Sequence, residues 1–235
     1  MSEALFAVLL ALSLIPPLLY ALYLRSREQH DREPVKAVLG AFLWGGTIGV
    51  AVALLLHILF EFGYHQAGGP LSIPDAVLAA VVAAPIVEEI AKALGLRGAR
   101  RHISELEDGI IYGTALGLGF AASENLVYGI AGLLEGGFSV AISTVVVRTF
   151  SSMLLHAAAT GLLGFGYSRM VLSGGVVWSL LPFYIAAVGL HALYNFLVGT
   201  EALLGLALGI VMVAVVMGML RRRIEALDAL PHELR

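Results

Sequence analysis

The stretch AAPIVEEIAKALGL (residues 83–96) has the apolar composition of a membrane-spanning helix but carries three charged side chains. Glu88, Glu89 and Lys92 lie near its centre, where a charged group costs at least about 2.5–3.5 kcal/mol to insert. On a helix, Lys92 lies beside both glutamates, because they precede it by four and three residues. Lys92 can therefore neutralise one glutamate while the other acts as a base.

The composition of the whole chain favours a membrane protein. Of its 235 residues, 59% are hydrophobic and 13% are charged, whereas a soluble domain of this size is close to a quarter charged. We therefore predict one integral membrane domain, residues 1–235, that passes through the cell membrane several times. The absence of cysteine excludes disulfides and thiolate ligands, and the net charge of −3 gives no indication of a nucleic-acid partner.

Seven apolar segments predict the fold class, an all-α bundle of about seven transmembrane helices. Most have the roughly 20 residues that a helix needs to cross hydrocarbon. The fifth is longer, and we expect it to tilt or to extend into water. The small-residue series YGTALGLGFAAS (residues 112–123) in the fourth predicts close helix packing. The segments lie near residues 3–24, 37–61, 75–97, 109–131, 139–168, 176–199 and 202–220.

Basic residues predict the orientation of this bundle. Twelve of the 14 Lys and Arg residues follow the first, third, fifth and seventh segments, and none lies in the connections after the second, fourth and sixth. Basic connections face the cytoplasm. We therefore predict an outside N-terminus and a cytoplasmic C-terminus. The two remaining basic residues, Lys92 and Arg148, lie inside predicted spans.

Two glutamates and two histidines lie at similar depths in four of the predicted spans. At 1.5 Å per residue, Glu88, Glu124, His156 and His191 all fall within roughly 6 Å of one plane. Either histidine alone would be interpreted as a satisfied core histidine, and the shared depth of the two is what favours a site. Glu124 alone fits a hydrogen-bonded packing role equally well, whereas the adjacent Glu88 and Glu89 exceed what one salt bridge with Lys92 needs. Carboxylate and imidazole groups are ligands that suit zinc, and a zinc ion lowers the pKa of a bound water toward 7.

Two further polar residues accompany these four. Asn195 follows His191 by about one helical turn, where it can orient the histidine or donate to a developing oxyanion. Arg148 precedes His156 by about two turns, and we expect it to pair with an internal carboxylate.

Four ordered motifs resemble the PrsW family of intramembrane metalloproteases, which belongs to a larger group of glutamic membrane proteases together with the CAAX prenyl proteases. The resemblance covers about residues 80–200. The motifs are EEIAK (88–92), DGIIYGTALGLGFAASENLVYG (108–129), RTFSSMLLHAAATGLLG (148–164) and HALYN (191–195).

The resemblance implies an all-helical polytopic fold and peptide-bond hydrolysis in or near the membrane, with the catalytic helices within residues 75–199. The family's double glutamate and basic partner fall on Glu88, Glu89 and Lys92. Its FxxxE motif falls on Phe120 and Glu124. Its later histidines fall on His156 and His191, and the HxxxN that ends at Asn195 is similar to many CAAX-type relatives.

We therefore expect an intramembrane endopeptidase that uses Zn²⁺. Its catalytic residues would be Glu88, Glu89, Lys92 and Asn195, and its metal ligands Glu124, His156 and His191. Which glutamate is the base stays open. The expected substrate is a membrane protein or peptide, and PrsW itself is associated with the first cut of a membrane-bound anti-sigma factor. Two alternatives remain: an ion-coupled transporter that uses the same carboxylates, and a non-catalytic membrane scaffold.

Overall fold

A computed structural model describes residues 3–69, 74–200 and 203–230. Every regular element within these ranges is helical, which confirms that the fold is all-α. Short π-helical turns join α2 to α3 (Gly45–Gly49) and α4 to α5 (Leu78–Ala83). The helices are α1 (Glu3–Ser26), α2 (Val35–Trp44), α3 (Val50–Gln66), α4 (Asp75–Val77), α5 (Ala84–Ala99), α6 (Leu106–Phe150), α7 (Ser152–Leu172), α8 (Leu181–Gly199) and α9 (Leu203–Asp228).

Five helical segments of the described chain are long and apolar enough to cross a membrane. The chain is therefore a multi-pass membrane protein, whereas the count of seven spans and the orientation of the termini stay predictions. The segment Leu106–Leu172 contains two of the predicted spans, and the residues around α5 are not among the five. The five are Glu3–Ser26, Val35–Gln66, Leu106–Leu172, Val177–Gly199 and Leu203–Asp228.

The long helix α6 reverses direction at Gly137. This residue has φ 76° and ψ −166°, a conformation that glycine adopts with little strain. The two arms of α6 then run antiparallel, since Gly129 packs beside Val145 and Arg148 Nε donates to Asn125 Oδ1 over 3.0 Å. The reversal brings the end of α6 next to the middle of its first arm.

The predicted fifth span, residues 139–168, is not one continuous helix, and this corrects the sequence prediction. The helix breaks at Ser151, which has φ −125° and ψ −75° between the end of α6 and the start of α7. The break is stabilised locally, because the Ser151 hydroxyl donates to the Val147 carbonyl over 2.7 Å and the Ser151 N–H donates to the Arg148 carbonyl over 3.3 Å. Partners of this kind are needed where a helix is interrupted inside a membrane.

Glycines bring α6 and α7 into backbone contact, as the small-residue series predicts. Gly109, Gly113 and Gly117 recur every four residues on one face of α6. A Cβ atom at any of them would overlap the backbone of α7, at Gly164, Thr160 and His156 respectively. Close approach of this kind stabilises helix pairs in membranes, and here it fixes His156 against α6.

Candidate active site

Helices α5, α6, α7 and α8 supply polar side chains to one largely buried cluster. The cluster lies among apolar helices, so each charged group needs a partner. Its members are Glu88, Glu89, Lys92, Glu124, Arg148, His156, Thr160 and His191.

Glu89 is fully buried and its oxygens already have partners. Lys92 Nζ lies 2.8 Å from Glu89 Oε1, and His191 Nδ1 lies 3.0 Å from the same atom. The Thr160 hydroxyl donates to Glu89 Oε2 over 3.3 Å. Because an ionised carboxylate only accepts, His191 carries its proton on Nδ1 and keeps the lone pair of Nε2. Glu89 therefore orients His191.

Thr160 is a site residue that the sequence analysis did not identify. It follows His156 by four residues in HAAAT. On a helix this spacing places both side chains on one face, and the spacing was the available signal.

Glu88 has fewer partners than Glu89. Its nearest charged partner is Lys92, whose Nζ lies 3.3 Å from Glu88 Oε2. The Glu88 side chain retains 14% exposure, against 0% for those of Glu89 and Lys92. The spacing placed Lys92 beside both glutamates, and in the structure the lysine contacts both, with the shorter distance to Glu89.

His156 lies between the lysine and a glutamate of α6. Its Nε2 is 2.7 Å from Glu124 Oε2, and its Nδ1 is 2.8 Å from Lys92 Nζ. A carboxylate accepts and an ammonium donates, so both contacts favour the tautomer with the proton on Nε2. Nδ1 therefore carries the lone pair.

Arg148 binds the same glutamate, which agrees with the expectation that it pairs with an internal carboxylate. Its Nη2 lies 2.8 Å from Glu124 Oε2. The guanidinium also lies over the Tyr128 ring, 3.9 Å from its centroid, and donates to the Ser152 hydroxyl over 2.9 Å. These contacts hold Glu124 at the edge of the cluster.

Three side chains are arranged so that they can hold a metal ion: Glu88, His156 and His191. Each offers one ligand atom, and the three atoms lie within 4.8 Å of one another. Glu88 Oε2 is 3.9 Å from His156 Nδ1 and 3.9 Å from His191 Nε2. The sequence analysis assigned Glu124 as the carboxylate ligand. In the structure Glu88 belongs to this group, and Glu124 is paired with Arg148.

Asn195 lies apart from these side chains. Its Nδ2 donates to the backbone carbonyl of Ala80 over 2.7 Å, in the π-helical turn before α5. The residue that orients His191 in the structure is Glu89. The catalytic role of Asn195 stays a prediction.

An apolar groove, named the site groove here, opens beside the cluster. It has a volume of about 340 Å³, lies between α3, α5 and α6, and includes Glu88 and Glu124 in its lining. Leu54 and Val127 also line it, and both are 61% exposed on the outer surface of the bundle. The groove therefore connects Glu88 with the surface that faces lipid.

Comparison with known sequences identifies the family. The sequence profile described as "PrsW family intramembrane metalloprotease" matches residues 33–220. This chain belongs to the PrsW family. Protease PrsW of Clostridioides difficile (strain 630) is 30% identical over 169 residues, which is 71% of this chain and 67% of that protein.

Two further PrsW relatives match over longer stretches. Protease PrsW of Geobacillus kaustophilus (strain HTA426) is 27% identical over 209 residues, 85% of this chain and 84% of the relative. Protease PrsW of Bacillus subtilis (strain 168) is 26% identical over 198 residues, 82% of this chain and 83% of the relative. No solved structure matches significantly.

Membership of the PrsW family makes the chain a membrane peptidase of a metalloprotease class. The motif residue Phe120 packs against the cluster, since its ring centroid lies 4.3 Å from Lys92 Nζ and 5.4 Å from the centroid of the His156 ring. The matched region includes every member of the cluster.

Proposed function

We propose that this PrsW-family chain is a metal-dependent endopeptidase that cleaves membrane-associated proteins, and that Glu88 activates the attacking water. The observation that carries the proposal is the convergence of Glu88, His156 and His191 within 4.8 Å, beside a groove that reaches the lipid-facing surface. An ion-coupled carrier would use similar carboxylates, but the family relationship favours hydrolysis.

The donor atoms of the cluster fit a zinc ion. His191 presents a free ring nitrogen, Nε2, and His156 would offer Nδ1 once Lys92 moved away from it. Imidazole with carboxylate is a common ligand set for zinc in hydrolases. Glu88 is the carboxylate that lies beside the two histidines, but this proposal keeps Glu124, as the sequence analysis did, as the carboxylate ligand, so that Glu88 is left to act as the base. When bound, such an ion polarises a carbonyl group and lowers the pKa of water.

Glu88 is the best-placed general base of the three glutamates. Glu89 has its oxygens occupied by Lys92, His191 and Thr160. Glu124 is held by Arg148 and His156. Glu88 accepts a proton from the water as the oxygen attacks the peptide carbonyl, and the same carboxyl then returns the proton to the leaving amine nitrogen.

The neighbours of Glu88 serve the reaction by fixing charge and orientation. Lys92 keeps the pair of adjacent carboxylates from repelling each other in a buried setting. Glu89 orients the His191 ring, in the manner of the carboxylate–histidine pairs found around many zinc sites. Asn195 would donate to the developing oxyanion if substrate binding drew it away from Ala80.

The substrate would reach Glu88 through the site groove. Its apolar walls suit the side chains of a membrane segment, and the two carboxylates at its inner end mark where the scissile bond would lie. A membrane-bound anti-sigma factor, the substrate associated with PrsW itself, is one candidate substrate for this chain.

Cleavage and metal content measured together test this proposal. Purified protein in lipid should cleave a membrane peptide, a chelator should abolish cleavage, and added zinc should restore it. Glu88→Gln should retain zinc and lose cleavage, whereas His191→Ala and Glu124→Gln should lose zinc as well.

Three results would overturn the proposal in part or as a whole. Cleavage by metal-free protein would show that the reaction does not need a metal ion. Loss of zinc in Glu88→Gln together with its retention in Glu124→Gln would exchange the roles of these two glutamates. Ion uptake by reconstituted vesicles, without any cleavage, would replace the peptidase by a carrier.

A further inference from the structure

A second and larger groove lies on a different face of α5 from the site groove. It has a volume of about 800 Å³ and runs between α5, α7, α8 and the turn Val177–Leu180. This volume is within the range of roughly 300–1,000 Å³ typical of sites for small ligands. Its walls are mostly apolar, and they include Ile90, Leu94 and Leu181.

Two arginines lie in the lining of this groove, which is named the arginine groove here. Arg97 lies in the last turn of α5, and Arg100 lies in the 3₁₀ turn that follows α5. Both side chains are exposed. Neither forms a salt bridge with a carboxylate in residues 3–69, 74–200 or 203–230. Unpaired guanidinium groups beside an apolar wall suit a ligand with a phosphate at one end and hydrocarbon at the other.

Aromatic residues place the arginine groove at the level of the lipid headgroups. Trp178 is 75% exposed and lines the groove together with Tyr167. Tryptophan and tyrosine are enriched at membrane interfaces. Under the predicted topology, Arg97 and Arg100 lie on the cytoplasmic side, where anionic lipids attract basic residues.

We propose that the arginine groove binds an anionic phospholipid of the cytoplasmic leaflet. The phosphate accepts hydrogen bonds from Arg97 and Arg100, and an acyl chain lies along the apolar wall of α5 and α8. This site is independent of the proposed catalytic chemistry, although the lipid contacts the helix that carries Glu88. Tyr184 also lines the groove, and its hydroxyl donates to the Ile86 carbonyl over 2.9 Å, two residues before Glu88.

Retention of lipid by purified protein tests the proposal. The protein is released from nanodiscs that contain equal parts of phosphatidylcholine and phosphatidylglycerol, and the bound lipids are counted from the mass of the intact complex. Wild-type protein should retain phosphatidylglycerol preferentially. Arg97→Gln combined with Arg100→Gln should weaken this binding by about 30-fold, since each basic side chain near an anionic lipid contributes a factor of about five.

A charge-matched control separates a specific site from general surface charge. Arg101→Gln combined with Arg222→Gln removes the same charge from exposed arginines outside the arginine groove, and it should leave the preference unchanged. The proposal would be overturned if both double variants lost the preference for phosphatidylglycerol equally, or if the wild-type protein showed no such preference. Release of the lipid by soluble glycerol phosphate at similar concentration would show a site for free phosphate esters and would also overturn it.

Fluorescence locates the bound lipid. The chain has two tryptophans, so Trp44→Phe leaves Trp178 as the only one. Phosphatidylglycerol brominated on its acyl chains should quench Trp178 more strongly than equally brominated phosphatidylcholine. Equal quenching by the two lipids would contradict binding in this groove. If the Trp44→Phe variant does not fold, the number of phosphatidylglycerol molecules retained by the wild-type protein tests the proposal instead.

Discussion

Glu88 and Glu89 are neighbours in sequence, yet their surroundings give them different capacities to accept a proton. The spacing to Lys92 was enough to predict that both carboxylates lie beside the lysine. It was not enough to identify the base, because the groups that occupy Glu89 come from α7 and α8. Local periodicity reports neighbours on the same helix, whereas Thr160 and His191 become neighbours of Glu89 only when the helices pack.

Glu28 and Glu33 form a second buried acidic pair, in the connection between α1 and α2. Glu28 Oε2 accepts a hydrogen bond from the Glu33 N–H over 2.8 Å, and Glu33 accepts one from the Tyr112 hydroxyl. Burial raises the pKa of each carboxyl to about 8, and the nearby carboxylate of Asp108 adds to the effect. The folded protein therefore holds these protons at pH values where the unfolded chain has released them.

Because of these raised pKa values, we expect the free energy of unfolding to fall as the pH rises from about 4.5 to about 8, the interval between the ordinary and the raised pKa values. In that interval the folded state binds more protons than the unfolded state, so the free energy of unfolding decreases by up to about 1.4 kcal/mol per pH unit for each carboxyl. Glu28→Gln keeps an acceptor and removes the titration, so its unfolding in detergent should depend less on pH. Glu61→Gln, at an exposed glutamate of α3, is the control, and equal slopes for Glu28→Gln and wild type would refute the prediction.

The contact between α6 and α7 shows what residue size can predict at the scale of helices. The small-residue series predicted close packing, and the structure confirms it. The break at Ser151 could not be predicted, because the apolar run continues on both sides without a proline or glycine at that point. The groups that stabilise the break, the Ser151 hydroxyl and the carbonyls of Val147 and Arg148, are common in unbroken helices as well.

Gly113→Ala should separate α6 from α7. Its Cβ would overlap the Thr160 carbonyl, and overpacking of this kind destabilises by about 1–3 kcal/mol. Gly98→Ala is the matched control, since no atom lies within 4 Å of its Cβ position, and it should be neutral or stabilising by up to about 1 kcal/mol. Unfolding of both variants in detergent checks this, and equal stabilities would contradict the packing described for α6 and α7.

Substitutions of two neighbouring leucines in α3 test whether the substrate reaches Glu88 through the site groove. Leu54 lines the groove, while Leu55 is similarly exposed but does not line it. Leu54→Trp should obstruct the groove and reduce cleavage of a membrane peptide by about tenfold or more, which corresponds to about 1.4 kcal/mol in the transition-state free energy. Leu55→Trp places the same side chain in lipid and should leave cleavage unchanged. A similar effect of both substitutions would indicate another route to Glu88.

At the scale of the whole molecule, the sequence predicts orientation more directly than the structure does. The apolar segments near residues 109–131 and 139–168 predicted a reversal between them, and the structure has it at Gly137. Hydropathy could not show that the second of these segments breaks at Ser151. Charge distribution carries the information on sidedness. The sequence and the structure therefore describe complementary parts of the membrane topology.

Reporter fusions test the predicted topology. Fusions after residues 30, 103, 172 and 225 should all report a cytoplasmic location, because basic connections follow the preceding spans. Fusions after residues 68 and 135 should report the outside. A cytoplasmic signal from either of the last two would require a different number of spans.

The assignment of Glu88 as the base is the central claim, and the rate of cleavage by Glu88→Gln tests it most directly. The amide keeps the size of the side chain and removes the proton acceptor, while Glu89 remains paired with Lys92. Purified Glu88→Gln, assayed on a membrane peptide and normalised to folded protein, should therefore be slower than wild type by about 10²–10⁴-fold. Glu61→Gln should retain the wild-type rate. Cleavage by Glu88→Gln at the wild-type rate would contradict the assignment.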